Sequence, residues 1–276
     1  MQRLSVIIPF YKDLSGILTS LRHNKKFLTG NEIIIINDSP EINTDSVKEL
    51  MPNIIILTNS RNMGFGQTVN NGVAKSTAEY VMLLNSDVLL NDRTYENTLT
   101  LFSKDQQLFA TSFAQKEKNG NIVGANEGYF TNGMFNHRSK LSHKICETLW
   151  PEGGSCVIRK QIYVHLHGFD KDYAPFYWED VDLGYRAKQA GYHCIYNPEI
   201  IVEHHHETTI GTYFTRAEID MIATRNQFLF IWKNIRGWQL LQHIIWLPAI
   251  LWSQRKNRLF VPAFRQALTI FLAPHS

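Results

Sequence analysis

Several features that would assign the chain to a common class are scarce or missing. Cysteine is scarce: Cys146, Cys156 and Cys194 are three in 276 residues, an odd number without metal-site spacing. Free thiols in a reducing, cytoplasmic compartment are therefore expected. No run of about 18 uninterrupted apolar residues occurs, so no membrane-spanning helix is expected. The opening "MQRLSVIIPF" has no separate charged region and apolar signal core; it runs straight into strand-like residues. Excess charge of one sign is missing too. The formal charge is +3 and the pI about 8.7, and no dense Lys/Arg stripe with interleaved aromatics appears, which argues against nucleic acid as a partner.

What is present suits an enzyme-sized globular domain. Hydrophobic residues make up 44% of the chain, enough to fill the core of one large α/β domain or two small ones. Over the first ninety residues, "LSVIIPF", "EIIIIND", "NIIILTN" and "EYVMLLN" look like strands buried on both faces. The segments around Leu14 to Leu21, Thr44 to Leu50 and Gln67 to Lys75 have helical spacing. This alternation predicts a parallel, doubly wound sheet, in which ligands bind beyond the carboxyl ends of the strands. Those ends carry Pro9-Phe10-Tyr11, Asn37-Asp38-Ser39-Pro40, Asn59-Ser60-Arg61-Asn62 and Asn85-Ser86-Asp87.

Asp87 interrupts two apolar stretches. A carboxylate at such an edge can hold a hard divalent cation that also faces a diphosphate. Equally, Asn85 and Asp87 can form an Asx turn that caps a helix starting near Asp92. In "NMGFGQTVNNGV", Gly64 and Gly66 precede a helix and would let backbone N–H groups approach a phosphate. The third glycine of the dinucleotide fingerprint is absent, as is a strand immediately before it, which counts against a nicotinamide enzyme. The most specific stretch is "FYWEDVDLGYRAKQAGY". It places Glu179, Asp180 and Asp182 at the start of a helix behind three aromatics. One such acid is ordinary, stabilised by the helix dipole by about 0.3–1 kcal/mol; three exceed what capping requires. Upstream, "PEGGSCVIRK" contributes Gly153 and Gly154, which permit close approach to a ligand. Downstream, "IVEHHHETT" ends a strand in His204, His205 and His206, and a histidine there can complete a metal site begun by a carboxylate.

These motifs, with "TRNQFLFIWKN", occur in the order seen in family 2 glycosyltransferases, and from about residue 4 to 234 the chain resembles that family. The resemblance implies a GT-A fold: a Rossmann-like, mixed but mainly parallel sheet flanked by helices. Residues 1–110 would form its nucleotide-sugar-binding half, 111–235 its acceptor and catalytic half, and 236–276 a C-terminal helical extension. It also implies an inverting transfer of a sugar from a UDP- or dTDP-sugar to a hydroxyl of a glycan, glycolipid or glycoprotein, with Mn²⁺ or Mg²⁺ on the diphosphate. Pro9, Tyr11 and Asp38 resemble the nucleoside-binding set, and Asn59, Gly66, Asn85, Ser86 and Asp87 further donor contacts. Asp87 matches the metal-binding acid of the Asp-x-Asp motif, with Asn85 in place of its first Asp. His204 matches the metal-completing histidine, with His206 as the alternative register. An imidazole ligand leans toward Mn²⁺. The general base falls on Asp180, with Glu179 second; Gly153, Gly154, Trp178 and Glu179 would meet the acceptor.

Two other functions fit parts of the pattern: a catalytically silent nucleotide-sugar-binding protein, and a sugar nucleotidyltransferase. The glycine-rich, lysine-bearing first loop that the latter would place on a triphosphate is missing. Beyond residue 236, "WQLLQHIIWLPAILW" and the cationic, aromatic segment after it predict helices that need a cover. Self-association is expected, with peripheral contact to the inner face of a membrane as the alternative.

Overall fold

The computed structural model describes residues 4–204 and 210–274. The four apolar runs of the first ninety residues become β1 (Leu4–Phe10), β2 (Glu32–Asn37), β3 (Ile55–Thr58) and β4 (Tyr80–Leu84), separated by α1 (Leu14–Leu28), α2 (Asp45–Leu50) and α3 (Phe65–Lys75). Side chains of a strand alternate between faces, and both faces here are covered. In β1, Val6 and Ile8 pack with Ile17, Leu21 and Leu28 of α1, whereas Ile7 packs with Val69 and Val73 of α3. Each such burial contributes about 1.5–3 kcal/mol. Helix α3 lies close on the sheet because Gly72 has no side chain: a Cβ there would sit 2.5 Å from Ile36 Cδ1 and 2.6 Å from Ile7 Cγ2.

The chain continues through β5 (Val88–Leu90), α4 (Thr98–Lys104), β6 (Leu108–Lys116), β7 (Ile122–Val123), the hairpin β8 (Asn126–Thr131) and β9 (Met134–Ser139), and β10 (Cys146–Thr148). Then follow β11 (Ser155–Arg159), α5 (Lys160–His165), α6 (Glu179–Gln189) and β12 (His193–His204). Among the described residues, ten strands form one sheet in the order β10-β12-β6-β11-β4-β1-β2-β3, with β5 beside β12 and β7 beside β6. The pairs β1–β2, β1–β4, β2–β3 and β6–β12 are parallel, while β11 runs antiparallel to β4 and β6. The mixed, mainly parallel sheet expected from the sequence is present.

Two boundaries differ from expectation, each for a local reason. Helix α1 runs a further two turns beyond Leu21, because Asn24 is a core position: its amide donates to the Val88 carbonyl at 2.8 Å and accepts from Leu90 N–H at 2.9 Å. A polar residue at a core position hid the helical period. Near Asp92 a 3₁₀ turn (Thr94–Asn97) precedes α4, and the Asp92 carboxylate accepts from Thr94 N–H at 2.7 Å.

The C-terminal segment forms α7 (Ile210–Tyr213), α8 (Arg216–Asn234), α9 (Gly237–Ser253) and α10 (Phe260–Leu272). Thr215 and Glu218 close a capping box at the start of α8. Phe228, Leu229, Phe230 and Ile231 of α8 are all buried, so this stretch of the helix is covered all round, while its first turn, Arg216 to Glu218, is exposed. Helix α9 is tied down on one side by His243. Trp232 Nε1–H donates to His243 Nε2 at 3.0 Å, so Nδ1 donates to the Gly133 carbonyl at 2.6 Å. Among the described residues no helix is long and apolar enough to cross a membrane.

Candidate active site

A cavity of about 690 Å³ opens at the carboxyl ends of β1, β2 and β4, where parallel strands deliver their terminal backbone and polar side chains. Pro9, Phe10 and Tyr11 line one wall and Asp38 the floor. Asp38 is buried, and its carboxylate accepts from Asn59 Nδ2 at 2.8 Å, Met63 N–H at 2.8 Å and Gly64 N–H at 3.0 Å. Burial raises its pKa, against the pull of those hydrogen bonds. Gly64, at φ 79°, takes a left-handed conformation that turns its N–H to this carboxylate; a Cβ would meet the Pro175 backbone at 2.9 Å.

The fourth tip is shaped by pairings distant in sequence. Asn24 holds the outer edge of β5, and β5 pairs with the end of β12, setting Val88 opposite His204. Asp87 Oδ1 therefore lies 3.3 Å from His204 Nε2. The tautomer follows from Gln115. Its amide nitrogen donates to Ser155 Oγ at 2.7 Å, so its oxygen faces His204 Nδ1 at 2.7 Å and receives that N–H. Nε2 then presents its lone pair toward a carboxylate oxygen. An imidazole nitrogen and a carboxylate oxygen are both atoms that a divalent ion can take as ligands. Among the described residues no group of three or more His, Cys, Asp or Glu is placed to hold a metal.

Across the cavity lie Glu152, Glu179 and Asp180. Glu152 accepts from Asn126 Nδ2 at 2.7 Å, and burial raises its pKa. Glu179 is buried, and its Oε2 has no hydrogen-bond partner among the described residues. Burial, followed by the charges of Asp180 and Asp182, pushes its carboxyl well above the usual range. Asp180 is half-buried; burial, then the neighbouring Glu152, pushes its pKa up to about 7, while backbone N–H groups including Gly153 pull the other way. The two acids follow Tyr177 and Trp178, both left-handed at φ 71° and 76°. Such residues cost on the order of 1–3 kcal/mol each and persist where surroundings hold them. Buried Asn226 of α8 does so, donating to the carbonyls of Tyr173 at 2.8 Å, Phe176 at 3.0 Å and Tyr177 at 2.8 Å.

Of the residues expected from the sequence, Pro9, Tyr11, Asp38, Asn85, Asp87, Gly153, Gly154, Glu179, Asp180 and His204 come together on this cavity. Asn59, Gly66, Ser86 and Trp178 lie outside its described lining. Asn59 is engaged with Asp38, Thr68 and Asn71. Gly66 faces Phe169, whose Cβ is 3.0 Å from where a Cβ would be. Trp178 is buried among Phe135, His137 and Phe230. His205 and His206 lie outside the described residues.

Gln115, Glu152, Asn226 and Arg216, the last of these also on the cavity wall, were not singled out from the sequence. Glu152 stood beside the glycine pair and Asn226 at a core position of an aromatic helix, so both left a local trace. Gln115, at the end of a nine-residue buried strand, left none.

The sequence profile of the family described as Glycosyl transferase family 2 matches residues 5–165. The chain is 24% identical over 223 residues to the O-antigen chain rhamnosyltransferase RfbN of Salmonella typhimurium, covering 78% of this chain and 70% of that protein. It is 22% identical over 258 residues to the N-acetylglucosaminyl-diphospho-decaprenol L-rhamnosyltransferase of Mycobacterium tuberculosis, covering 79% and 78%. Among solved structures, the mannosyltransferase PcManGT from Pyrobaculum calidifontis, in complex with GDP-Man and Mn²⁺, superposes with a TM-score of 0.62 at 14% identity, covering 98% of this chain and 84% of that one. S. aureus TarS 1-349 in complex with UDP-GlcNAc gives 0.63 at 13% identity, covering 98% and 81%.

Proposed function

The chain belongs to glycosyl transferase family 2 and is a nucleotide-sugar glycosyltransferase, and from that premise we propose an inverting transfer from a UDP- or dTDP-sugar to an acceptor hydroxyl, with Asp180 as general base. The observation that carries this reading is the placement of Asp180, its pKa near 7, on the same cavity as Asp87 and His204. A carboxylate of that basicity accepts the hydroxyl proton as the acceptor oxygen attacks the anomeric carbon, and such a base is worth about 10²–10⁴-fold in rate. The bond from the anomeric carbon to the phosphate oxygen breaks on the opposite face, and its electron pair leaves with the nucleoside diphosphate. Two named relatives are rhamnosyltransferases, which supports a deoxyhexosyl donor.

In this reading residues 1–110 hold the donor. Tyr11 and Pro9 flank the base, Asp38 binds the nucleoside, Asn59 orients Asp38, and Asn85 and Ser86 shape the turn that presents Asp87. Asp87 and His204 hold a divalent ion, Mn²⁺ before Mg²⁺, with His206 as the alternative ligand. When bound, the ion offsets the negative charge that develops on the diphosphate. Residues 111–235 receive the acceptor: Gly153 keeps the wall beside Asp180 free of a side chain, Gly154 does the same against Asn85, and Trp178 fixes the backbone that presents Glu179 and Asp180.

The test is a panel of UDP-, dTDP- and GDP-sugars incubated with the protein and Mn²⁺, followed by assay of released nucleoside diphosphate. Release from one UDP- or dTDP-sugar, lost on chelation, is expected. Binding without release would make the protein a silent binder, and pyrophosphate release from a nucleoside triphosphate and a sugar phosphate would make it a nucleotidyltransferase.

A further inference from the structure

The surface of α9 is unused by donor chemistry. Between Gly237 and Ser253 the helix has no charged residue. At roughly 100° per residue, Trp238, Leu241, Ile245, Pro248 and Trp252 fall in a stripe roughly 80° wide. That stripe faces solvent: Trp238 is 67%, Ile245 62% and Trp252 69% exposed. It is not the side through which α9 packs on the protein, because His243, hydrogen-bonded to Gly133 and Trp232, lies on the other.

Charge around the stripe is segregated. Residues 221–276 hold seven of the chain's 28 Lys and Arg and none of its 25 Asp and Glu. Arg236 precedes α9, and Arg255, Lys256 and Arg258 occupy the turn that follows it, all exposed. The Arg255 guanidinium stacks on Trp252 at 4.2 Å. Among the described residues none of these four cations is in an ion pair.

We propose that α9 docks in the plane of an anionic lipid bilayer. Its tryptophan stripe enters the boundary between headgroups and acyl chains, and the cations at both ends of the helix meet lipid phosphates. Charge complementarity decides the occupant. A second copy related by a two-fold axis would press this acid-free surface against itself, bringing the cations of both copies together without counter-charge. An uncharged apolar partner would leave the cations unmatched. A bilayer supplies both halves, apolar depth for Trp238, Ile245 and Trp252 and anionic headgroups for Arg236, Arg255, Lys256 and Arg258.

The inference does not depend on the sugar-transfer reading, because its test contains no nucleotide sugar. The purified full chain is floated with vesicles of phosphatidylcholine containing phosphatidylglycerol, and with phosphatidylcholine alone, while light scattering gives its oligomeric state without detergent. Flotation with the anionic vesicles alone, reversed by high salt, is expected. R255Q/K256Q/R258Q should weaken partitioning by about 100-fold. W238S/I245S, at exposed positions, should abolish it with the thermal midpoint unchanged. Equal flotation on neutral vesicles or no flotation would overturn the proposal, as would a dimer that W238S/I245S converts to monomer; the last result would assign the stripe to a second copy.

Discussion

The amide of Asn226 donates to the Tyr177 carbonyl at 2.8 Å and, with its two N–H groups shared, to those of Phe176 and Tyr173 as well. One side chain of α8 thus secures the left-handed pair Tyr177 and Trp178 that sets the direction of Glu179 and Asp180. Asn226→Ala should destabilise the fold by about 1–3 kcal/mol through unpaired buried carbonyls. It should lower kcat at least tenfold while leaving donor affinity near that of the parent. Asn226→Asp, which cannot donate when ionised, should be worse than alanine. A lowered thermal midpoint with undiminished kcat at permissive temperature would make Asn226 a structural residue only.

Asp180 ties activity to pH. As a base it must be ionised, so with a pKa raised to about 7 the rate of the free enzyme should climb with pH through that point. Stability should run the other way. The folded state binds the Asp180 proton more tightly than the unfolded chain, whose Asp titrates near 3.9, so this group's contribution is fully present below that value and is lost as pH rises toward 7. Asp180→Asn should therefore reduce kcat by about 10²-fold or more yet raise the thermal midpoint at pH 8. A variant that loses neither activity nor this pH dependence would move the base to Glu179.

Gln115 fixes the tautomer of His204 by accepting its Nδ1–H at 2.7 Å. Gln115→Leu removes that acceptor and should weaken Mn²⁺ binding by about 10–100-fold, the usual cost of losing a partner behind a metal-ligating histidine. Asp87→Ala should remove metal-dependent donor binding. Calorimetric titration of Mn²⁺ with and without UDP checks both, and parental affinity in Asp87→Ala would reduce Asp87 to a turn residue.

Gly154 lies against the Asn85 amide so closely that a Cβ would sit 2.2 Å from Nδ2, and its carbonyl accepts from Asn85 N–H at 2.8 Å. Gly154→Ala should destabilise by about 1–3 kcal/mol as the two collide. Asn85→Ala in the same chain should recover part of that loss. Gly153→Ala, where the first contact is the Phe65 ring edge at 3.2 Å, should be milder. Thermal melts of the single and double variants measure the coupling; simple additivity would show that the contact does not bear on stability.

Local information in the sequence determined most of the scaffold. Runs such as "EIIIIND" are apolar on both faces and bounded by polar tips, which suffices to place β1 to β4 and the edge where ligands gather. The carboxylates of "FYWEDVDLGYRAKQAGY", and Asp87, were legible because they interrupt apolar periods. Tertiary structure decided what those residues face. Asp87 meets His204 only because β5 pairs with β12 more than a hundred residues away, under the grip of Asn24. Gln115 reads as one more residue of a buried strand until His204 is beside it. Asn226 is a polar interruption of an aromatic helix until the carbonyls of the Tyr177 turn arrive. Trp178, by contrast, read as a cavity residue and became core, because its left-handed backbone turns the ring toward Phe135 and Phe230. A hydrogen bond between distant segments leaves no period in either of them, since its partner is chosen by the packing of the sheet rather than by neighbours along the chain.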